Sequence, residues 1–162
     1  MNETGENTVA LRPVREADLD TLFRQMSDPE SVRMAAFTAE DPADRQRFDA
    51  HMARVMGSPD NTLLAITRES EVVGSIGYFV LEGRTEVTYW IDRAFWGRGI
   101  AGQALALVLE EIGARPVYGR AASDNAGSLR VLEKNGFRVI GTEMAFAAAR
   151  RGEIEETILR LD

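Results

Sequence analysis

The sequence predicts an α/β (α+β) fold in which a mixed, mostly antiparallel sheet of about seven strands is flanked by four helices. Apolar residues alternate over several short runs, which is typical of strands, and recur every three to four positions over others, which is typical of helices. The order βααβββαβαββ places a three-strand meander before one right-handed β-α-β crossover, so the sheet must be mixed. A single domain is expected over residues 9–162, after a flexible tail over residues 1–8.

The predicted domain begins with one strand and two helices. VALRPV (9–14) alternates like a strand, and residues 15–28 read as an amphipathic helix. A second helix is expected over residues 38–57, with Asp41 as its cap and Pro42 in its first turn. The apolar faces of the two helices are Leu19, Leu22, Phe23 and Met26, then Phe48, Met52, Val55 and Met56.

The meander, the crossover and a closing hairpin follow. Strands are expected over residues 61–68, 71–82, 84–92, 116–122, 137–149 and 153–162. Tight turns join the hairpins at Glu69–Ser70, Gly83–Arg84 and Arg151–Gly152. Helices are expected from about Gly99 to Gly113 and over residues 124–136. The second of these has Asp124 or Asn125 as its cap, and Gly136 ends it.

Composition excludes several kinds of site. The chain has no cysteine, which excludes disulfides and thiolate chemistry, and its single His51 cannot build a multi-histidine site, so no metal is expected. No apolar run is long enough to span a bilayer and residues 1–8 do not resemble a signal peptide, so a cytoplasmic protein without a membrane partner is expected. A net charge of −7, with no basic run longer than Arg150–Arg151, argues against nucleic acid as a partner.

A glycine-rich segment, FWGRGIAG (95–102), is the most conspicuous motif. Its G-x-G-x-x-G spacing occurs in dinucleotide-binding folds, and Asp124 lies a plausible distance downstream to hold a ribose. That interpretation is disfavoured because residues 92–96 separate the preceding strand from Gly97 and because a meander precedes the motif. Glycines and Arg98 at a helix start still favour anion binding over a plain turn, since the helix directs free N–H groups and its positive dipole end at this point.

Two ordered motifs then resemble a known family. WIDRAFWGRGIAGQAL (90–105) followed by NAGSLRVLEKNGF (125–137) is similar to the acetyl-CoA site of the GNAT superfamily of N-acetyltransferases. The similarity is greatest to the branch of ribosomal-protein serine and alanine N-terminal acetyltransferases. The family loop is Gln/Arg-x-x-Gly-x-Gly/Ala, which residues 96–101 match with Trp96 in its first place. The second motif supplies Asn125 and Ser128, and the predicted element order agrees with the family fold along nearly the whole chain.

The resemblance implies that acetyl-CoA is the cosubstrate. Its pantetheine arm would lie in a V-shaped opening between the strand that ends at Asp92 and the strand at 116–122. Its pyrophosphate would lie on the amides from Arg98 to Gly102, and Asn125 would bond the pantetheine or its phosphate end. The residues implied to bind acetyl-CoA are Trp90, Ile91, Asp92, Arg98, Gly99, Ile100, Ala101, Gly102, Asn125 and Ser128.

Acetyl transfer requires a neutral amine, a donor to the oxyanion and a donor to the departing thiolate. Glu86 is the candidate base, directly or through water, although a solvent-facing strand glutamate is an equal interpretation. The family geometry implies the Ile91 backbone N–H as the oxyanion donor. Leu132 stands where many relatives have a tyrosine, so Ser128 is the candidate thiolate partner, unless it is an ordinary first-turn helix residue. Substitutes for this role are Tyr89 and Tyr118.

The expected function is acetylation of a primary amine, most simply a protein or peptide N-terminal α-amine. One alternative is a small-molecule acceptor such as an antibiotic, a polyamine or an amino-acid analogue. Another is a non-catalytic sensor that binds acyl-CoA without turnover. The sequence leaves the oligomeric state open between a monomer and a homodimer, although dimers are frequent in the branch that the chain resembles.

Overall fold

The computed structural model describes residues 8–162, over which the chain forms a seven-stranded sheet with the order β1-β2-β3-β4-β5-β7-β6. The strands are β1 (Val9–Pro13), β2 (Asn61–Arg68), β3 (Glu71–Leu81), β4 (Arg84–Ile91), β5 (Val117–Ala122), β6 (Arg138–Ala147) and β7 (Gly152–Leu161). All neighbours pair antiparallel except β4 and β5, which are parallel. The predicted fold class is therefore confirmed. The predicted tail lies outside the described residues, apart from Thr8.

Five α-helices occur within residues 8–162, one more than predicted. They are α1 (Leu19–Met26), α2 (Pro29–Ala35), α3 (Arg45–Gly57), α4 (Ile100–Glu111) and α5 (Ala126–Lys134). The additional helix is α2, in a segment for which the sequence analysis predicts no helix or strand. Its local signal was present in the sequence, because Pro29 occupies the first helical position and the Asp28 carboxylate accepts a hydrogen bond from the Ser31 amide at 3.1 Å.

The predicted start of α3 was wrong by one turn. Asp44, rather than Asp41, caps the helix, and its carboxylate accepts a hydrogen bond from the Arg47 amide at 3.1 Å. Asp41 accepts instead from the Ala43 amide at 3.2 Å, in the turn before the helix. The buried face of α3 is also narrower than predicted, since Met52 is 3% exposed but Met56 is 45% exposed.

Of the three predicted turns between strands, one lies at the predicted residues and two differ. Glu69 and Ser70 both have positive φ, at 54° and 65°, as a two-residue hairpin turn requires. In the next hairpin Leu81 pairs with Arg84, so the turn residues are Glu82 and Gly83 rather than Gly83 and Arg84. The predicted turn at Arg151–Gly152 is a short 3₁₀ helix (Ala148–Arg150) that ends at Arg151, whose φ is 54°.

Helices cover both faces of the sheet. On one face α4 and α5 bury the larger core, which includes Ile66, Val73, Leu105, Val108, Val117, Leu132 and Leu159. On the other face a smaller cluster forms around Leu22 of α1 and Ala65 of β2. Within residues 8–162 no helix is long and apolar enough to cross a membrane, and no cluster of acidic or histidine side chains has the arrangement of a metal site.

Candidate active site

The sheet opens at its centre between β4 and β5. These strands pair only at Thr85 with Val117 and at Glu86 with Tyr118, whereas β4 stays paired with β3 as far as Ile91 and β5 stays paired with β7. The two strands therefore diverge beyond Glu86 and leave a V-shaped gap. A cavity of about 70 Å³ lies at this point, lined by Val87, Thr88, Tyr89, Gly119, Arg120, Ser128 and Leu132.

The backbone of β4 presents alternate residues to this gap. The Asp92 amide donates to the Val73 carbonyl at 2.8 Å, which assigns Asp92 to the hydrogen-bonded positions of the β3–β4 ladder. Because such positions alternate in an antiparallel pair, Trp90 also directs its backbone groups at β3, while Tyr89 and Ile91 direct theirs at the gap. The Ile91 carbonyl accepts a hydrogen bond from the Trp96 indole at 2.9 Å, and its amide faces the opening.

The side chains of Trp90 and Asp92 join β4 to α1. The Trp90 indole donates to the Gln25 carbonyl at 2.9 Å. The buried Asp92 carboxylate accepts hydrogen bonds from Arg24 and from the Ala94 amide, each at 3.0 Å. These contacts hold the end of β4 and the segment that leads into the glycine-rich loop.

The glycine-rich loop forms the N-terminus of α4. Gly97 and Gly99 have φ values of 78° and 75°, in the left-handed region that favours glycine. In the first hydrogen bond of the helix the Gln103 amide donates to the Gly99 carbonyl at 3.1 Å. The amides of residues 100–102 therefore have no acceptor within the helix. Arg98 is exposed and lies over the Phe95 ring at 5.3 Å. Free amides, the helix dipole and a guanidinium together suit a phosphate group.

The first turn of α5 faces β4 across the gap. Asn125 rather than Asp124 caps this helix, and its side-chain oxygen accepts from the Ser128 amide at 3.2 Å. Asp124 pairs instead with Arg150 at 2.7 Å. The Ser128 hydroxyl lies 2.8 Å from the Tyr89 hydroxyl, and burial raises the pKa of Tyr89 to about 12. The sequence does not predict this hydroxyl pair, because Tyr89 and Ser128 lie 39 positions apart on different elements.

Glu86 lies on the opposite face of β4 from Tyr89, since strand side chains alternate. Its side chain is buried, at 7% exposure, so the interpretation as a solvent-facing strand glutamate was wrong. The Arg120 guanidinium donates to Glu86 at 3.3 Å and to Glu143 at 2.8 Å, and lies 3.5 Å from Glu156. Burial raises the pKa of the Glu156 carboxyl, although Arg120 opposes that shift.

The structure thus divides the candidate catalytic residues between two faces of one opening. Ser128 and Tyr89 lie on the α5 side, together with Leu132, whose side chain is fully buried. Glu86 lies on the other side, where it pairs across the strands with Tyr118. Tyr118, with Arg84 over its ring at 4.8 Å, therefore lies on the side away from the hydroxyl pair of Tyr89 and Ser128. Sequence reasoning missed Arg120, which no motif or spacing indicated.

Comparison with known proteins gives one consistent result. Residues 8–138 match the family model described as an acetyltransferase (GNAT) domain. A Bacillus licheniformis protein, "Uncharacterized N-acetyltransferase p20", is 22% identical over 143 residues, which cover 82% of this chain and 80% of that protein. Mycobacterium smegmatis RimJ in complex with CoA-disulfide has a TM-score of 0.83 at 20% identity, covering 97% of this chain and 83% of that one.

A further solved structure shares the fold. The phosphinothricin acetyltransferase (Pat) of Sinorhizobium meliloti in complex with AcCoA has a TM-score of 0.79 at 18% identity, covering 94% of this chain and 87% of that one. At these identities the two solved structures show the likeness of fold, while the family match rests on the sequence of residues 8–138.

Proposed function

Because this chain belongs to the GNAT acetyltransferase family, we propose that it acetylates the α-amine of a peptide or protein N-terminus. Membership of the family makes the chain an acyltransferase that uses acetyl-CoA as its cosubstrate. The choice of acceptor is supported by one observation above all, the buried and ion-paired state of Glu86. The ribosomal-protein branch and a cytoplasmic location stay predictions from the sequence.

The state of Glu86 favours an acceptor that needs little deprotonation. The Arg120 guanidinium donates to Glu86 at 3.3 Å and so occupies one of its two carboxylate oxygens. Such a carboxylate is suited to orienting an amine or to taking its proton through water. An α-amine has an unperturbed pKa near 8, against about 10.4 for lysine, and so offers a usable neutral fraction near neutral pH.

The residues present fit acetyl-CoA, which supplies a thioester carbonyl for attack by the amine. We assign its pyrophosphate to the free amides of residues 100–102, with those of Arg98 and Gly99 beside them, and its pantetheine arm to the backbone groups of Tyr89 and Ile91 that face the gap. The Asn125 side-chain oxygen caps α5, so its amide nitrogen is the group left to bond the pantetheine or its phosphate end. Trp90 and Asp92 support this site through their contacts with α1.

Three groups are assigned to the chemistry. The Ile91 amide faces the gap and donates a hydrogen bond to the oxygen on which negative charge develops. Glu86 receives the proton of the attacking amine, directly or through water. Ser128 donates a hydrogen bond to the departing sulfur, because its hydroxyl lines the cavity between β4 and β5.

A comparison of acceptors tests this proposal. We expect a peptide with a free N-terminus to be acetylated at least tenfold faster than its N-blocked, lysine-containing version, since about tenfold or more separates their neutral fractions. Mass spectrometry identifies the modified nitrogen, and thiol release gives the rate. A panel of small amines is assayed in parallel.

Modification of the blocked peptide at an equal rate, or of small amines only, would overturn the choice of acceptor. Acetyl-CoA binding without turnover on any amine would identify an acyl-CoA sensor instead. Neither outcome would change the fold or the cosubstrate.

We also propose a homodimer that forms along β6, an edge strand of the sheet. The other edge, β1, is short and carries Arg12 and Pro13, which discourage pairing. In contrast, β6 has ten residues, and its exposed apolar side chains are Val139, Ile140, Met144 and Phe146. Within β6 the charges of Arg138 and Glu143 cancel, so a second copy can pair with the strand antiparallel despite the net charge of −7 of the chain.

Light scattering after size exclusion tests the dimer. We expect wild-type protein at twice the monomer mass of 17.9 kDa and Phe146→Lys protein at the monomer mass, because a charge at the edge opposes strand pairing. Val80→Lys, at an exposed position on β3, is the control and should remain dimeric. A monomeric wild-type protein would refute this assembly.

A further inference from the structure

We infer that Tyr89 is a positioning residue that orients the Ser128 hydroxyl, so that Ser128 directs its proton into the cavity between β4 and β5. The inference rests on the proposed role of Ser128 toward the departing sulfur. It adds a second residue, from a different element of the fold, to the groups that stabilise the departing sulfur.

The two hydroxyls form a contact between side chains of different elements, and the backbone hydrogen bonds of the strand and the helix do not depend on it. Tyr89 lies on β4 and Ser128 in the first turn of α5, 39 positions apart, and their hydroxyl oxygens are 2.8 Å apart. The Tyr89 hydroxyl also lies 3.2 Å from the Ser128 carbonyl oxygen, within reach of donation. Both residues line the cavity of about 70 Å³ at the point where the sheet opens. The pair therefore lies at the proposed reaction site.

The pair has two hydrogen-bond arrangements, because each hydroxyl has one proton. If Tyr89 donates to the Ser128 carbonyl, the serine proton turns toward Tyr89 and away from the cavity. If Tyr89 donates to the Ser128 hydroxyl oxygen, the serine proton is free to point into the cavity. An anionic sulfur in the cavity selects the second arrangement, since charge-assisted hydrogen bonds are about twice as strong as neutral ones.

Tyr89 keeps its own proton throughout. Burial raises the pKa of its hydroxyl to about 12, so it is neutral and a donor near neutral pH. The C–N bond forms and the C–S bond breaks, the sulfur leaves with the bonding electron pair, and the amine proton goes to Glu86 or its water. No proton leaves Tyr89 or Ser128, and the thiolate is protonated by solvent after release.

The residues around Ser128 explain why its hydrogen-bond donor, Tyr89, comes from β4. Leu132 is fully buried and offers no hydroxyl to the cavity. It packs directly on β5, where a Cβ added at Gly119 would lie 2.8 Å from a Leu132 methyl carbon. Gly119 and Leu132 therefore offer the Ser128 hydroxyl no hydrogen-bond partner, whereas Tyr89 lies 2.8 Å from it.

A binding experiment that needs no acceptor tests the inference. Dissociation constants for CoA and for desulfo-CoA, which lacks the sulfur, are measured by calorimetry at pH 7 and pH 9. We expect the wild-type protein to prefer CoA, and to do so more strongly at pH 9, because a thiolate accepts hydrogen bonds more strongly than a thiol. Tyr89→Phe and Ser128→Ala should each lose most of this preference. The double variant should lose no more than either single variant, because coupled residues are not additive.

Tyr78→Phe is the matched control, because Tyr78 also bears a hydrogen-bonded hydroxyl, 2.7 Å from Glu111, but lies outside the cavity. It should keep the wild-type preference for CoA. In turnover assays Tyr89→Phe should lower kcat with an unchanged KM for acetyl-CoA, a split that a purely structural role would not produce. Full retention of the CoA preference in Tyr89→Phe, or additive losses in the double variant, would overturn the inference. Failure to acetylate the free peptide with these preferences intact would refute only the proposed acceptor.

Discussion

Gly99→Val should weaken acetyl-CoA binding by about tenfold to a hundredfold and leave a protein that unfolds cooperatively. Gly99 has a φ of 75° at the residue before α4, and a β-branched residue there costs about 1–3 kcal/mol. The substitution relieves that strain by moving the loop, so the amides of residues 100–102 no longer point at one phosphate site. A cost of about 1.4 kcal/mol corresponds to each factor of ten in affinity.

Conformation rather than space causes this effect. A Cβ added at Gly99 would meet only the Gln103 side chain, at 3.8 Å. Gly99→Ala should therefore weaken binding in the same direction but by less, since alanine reaches the left-handed region at a lower cost than valine. Gly113→Val is the control, because its added Cβ meets nothing within 4 Å and its backbone lies outside the left-handed region.

Thermal denaturation with and without ligand measures the effect. At a hundredfold excess over its dissociation constant, acetyl-CoA should stabilise the wild-type protein by about 2.7 kcal/mol, whereas NAD and NADP should give no shift. Gly113→Val should show the wild-type shift, and Gly99→Val a much smaller one. Wild-type affinity in Gly99→Val would show that the loop does not hold the pyrophosphate. A shift with NAD alone would favour the dinucleotide interpretation of the glycine motif.

Elements governed by local chemistry were predicted well. The short apolar run of NTLLAITR predicted the bounds of β2, Asn61–Arg68, and the pair Glu69–Ser70 predicted the turn after it. Both signals depend on residues that are adjacent along the chain, so no tertiary information is needed. The glycine-rich loop was predictable for the same reason, because Gly97 and Gly99 need positive φ at a helix start.

The predicted start of α3 was wrong because two nearby residues can each cap a helix. Asp41 and Asp44 are both suitable caps, and the prediction chose Asp41 because Pro42 follows it. In the structure Asp41 holds a turn through Ala43, and Asp44 caps the helix. The choice between them depends on how α3 packs, with Met52 inward and Met56 exposed, and packing is not readable from the spacing of caps.

The candidate active site was only half predictable because its contacts cross between elements. Glu86 and Ser128 stood out through their motifs, but the partners of each are 34 and 39 positions away. Arg120 reaches Glu86 only because β4 and β5 pair in one parallel register. Likewise, the β4 amides that face the gap are those that do not bond to β3. The sequence does not specify which residues of β4 these are.

Glu86→Gln should lower kcat by about a hundredfold to ten-thousandfold, the usual contribution of a general base. Acetyl-CoA affinity should change little, because Glu86 lies on the face of β4 away from Ser128. Glutamine keeps the shape and an oxygen acceptor for Arg120, which also retains Glu143 at 2.8 Å and Glu156 at 3.5 Å. The fold is therefore expected to survive the substitution.

Glu143→Gln separates loss of a base from loss of charge beside Arg120. Glu143 contacts the same guanidinium from β6 but is exposed, so its substitution removes one carboxylate and leaves Glu86 in place. We expect kcat within about twofold of wild type for Glu143→Gln, since an exposed ion pair contributes only about 0.2–1 kcal/mol. Both variants are compared at saturating acetyl-CoA with the same free N-terminal peptide.

The pH profile of kcat/KM decides whether Glu86 accepts the proton. In the wild-type protein activity should fall on the acidic side as the base and the amine become protonated. In Glu86→Gln the acidic side should keep only the titration of the α-amine, whose unperturbed pKa is near 8. An unchanged kcat and an unchanged profile in Glu86→Gln would mean that the amine arrives neutral from solvent, and that the buried carboxylate serves only to hold Arg120 between β4 and β7.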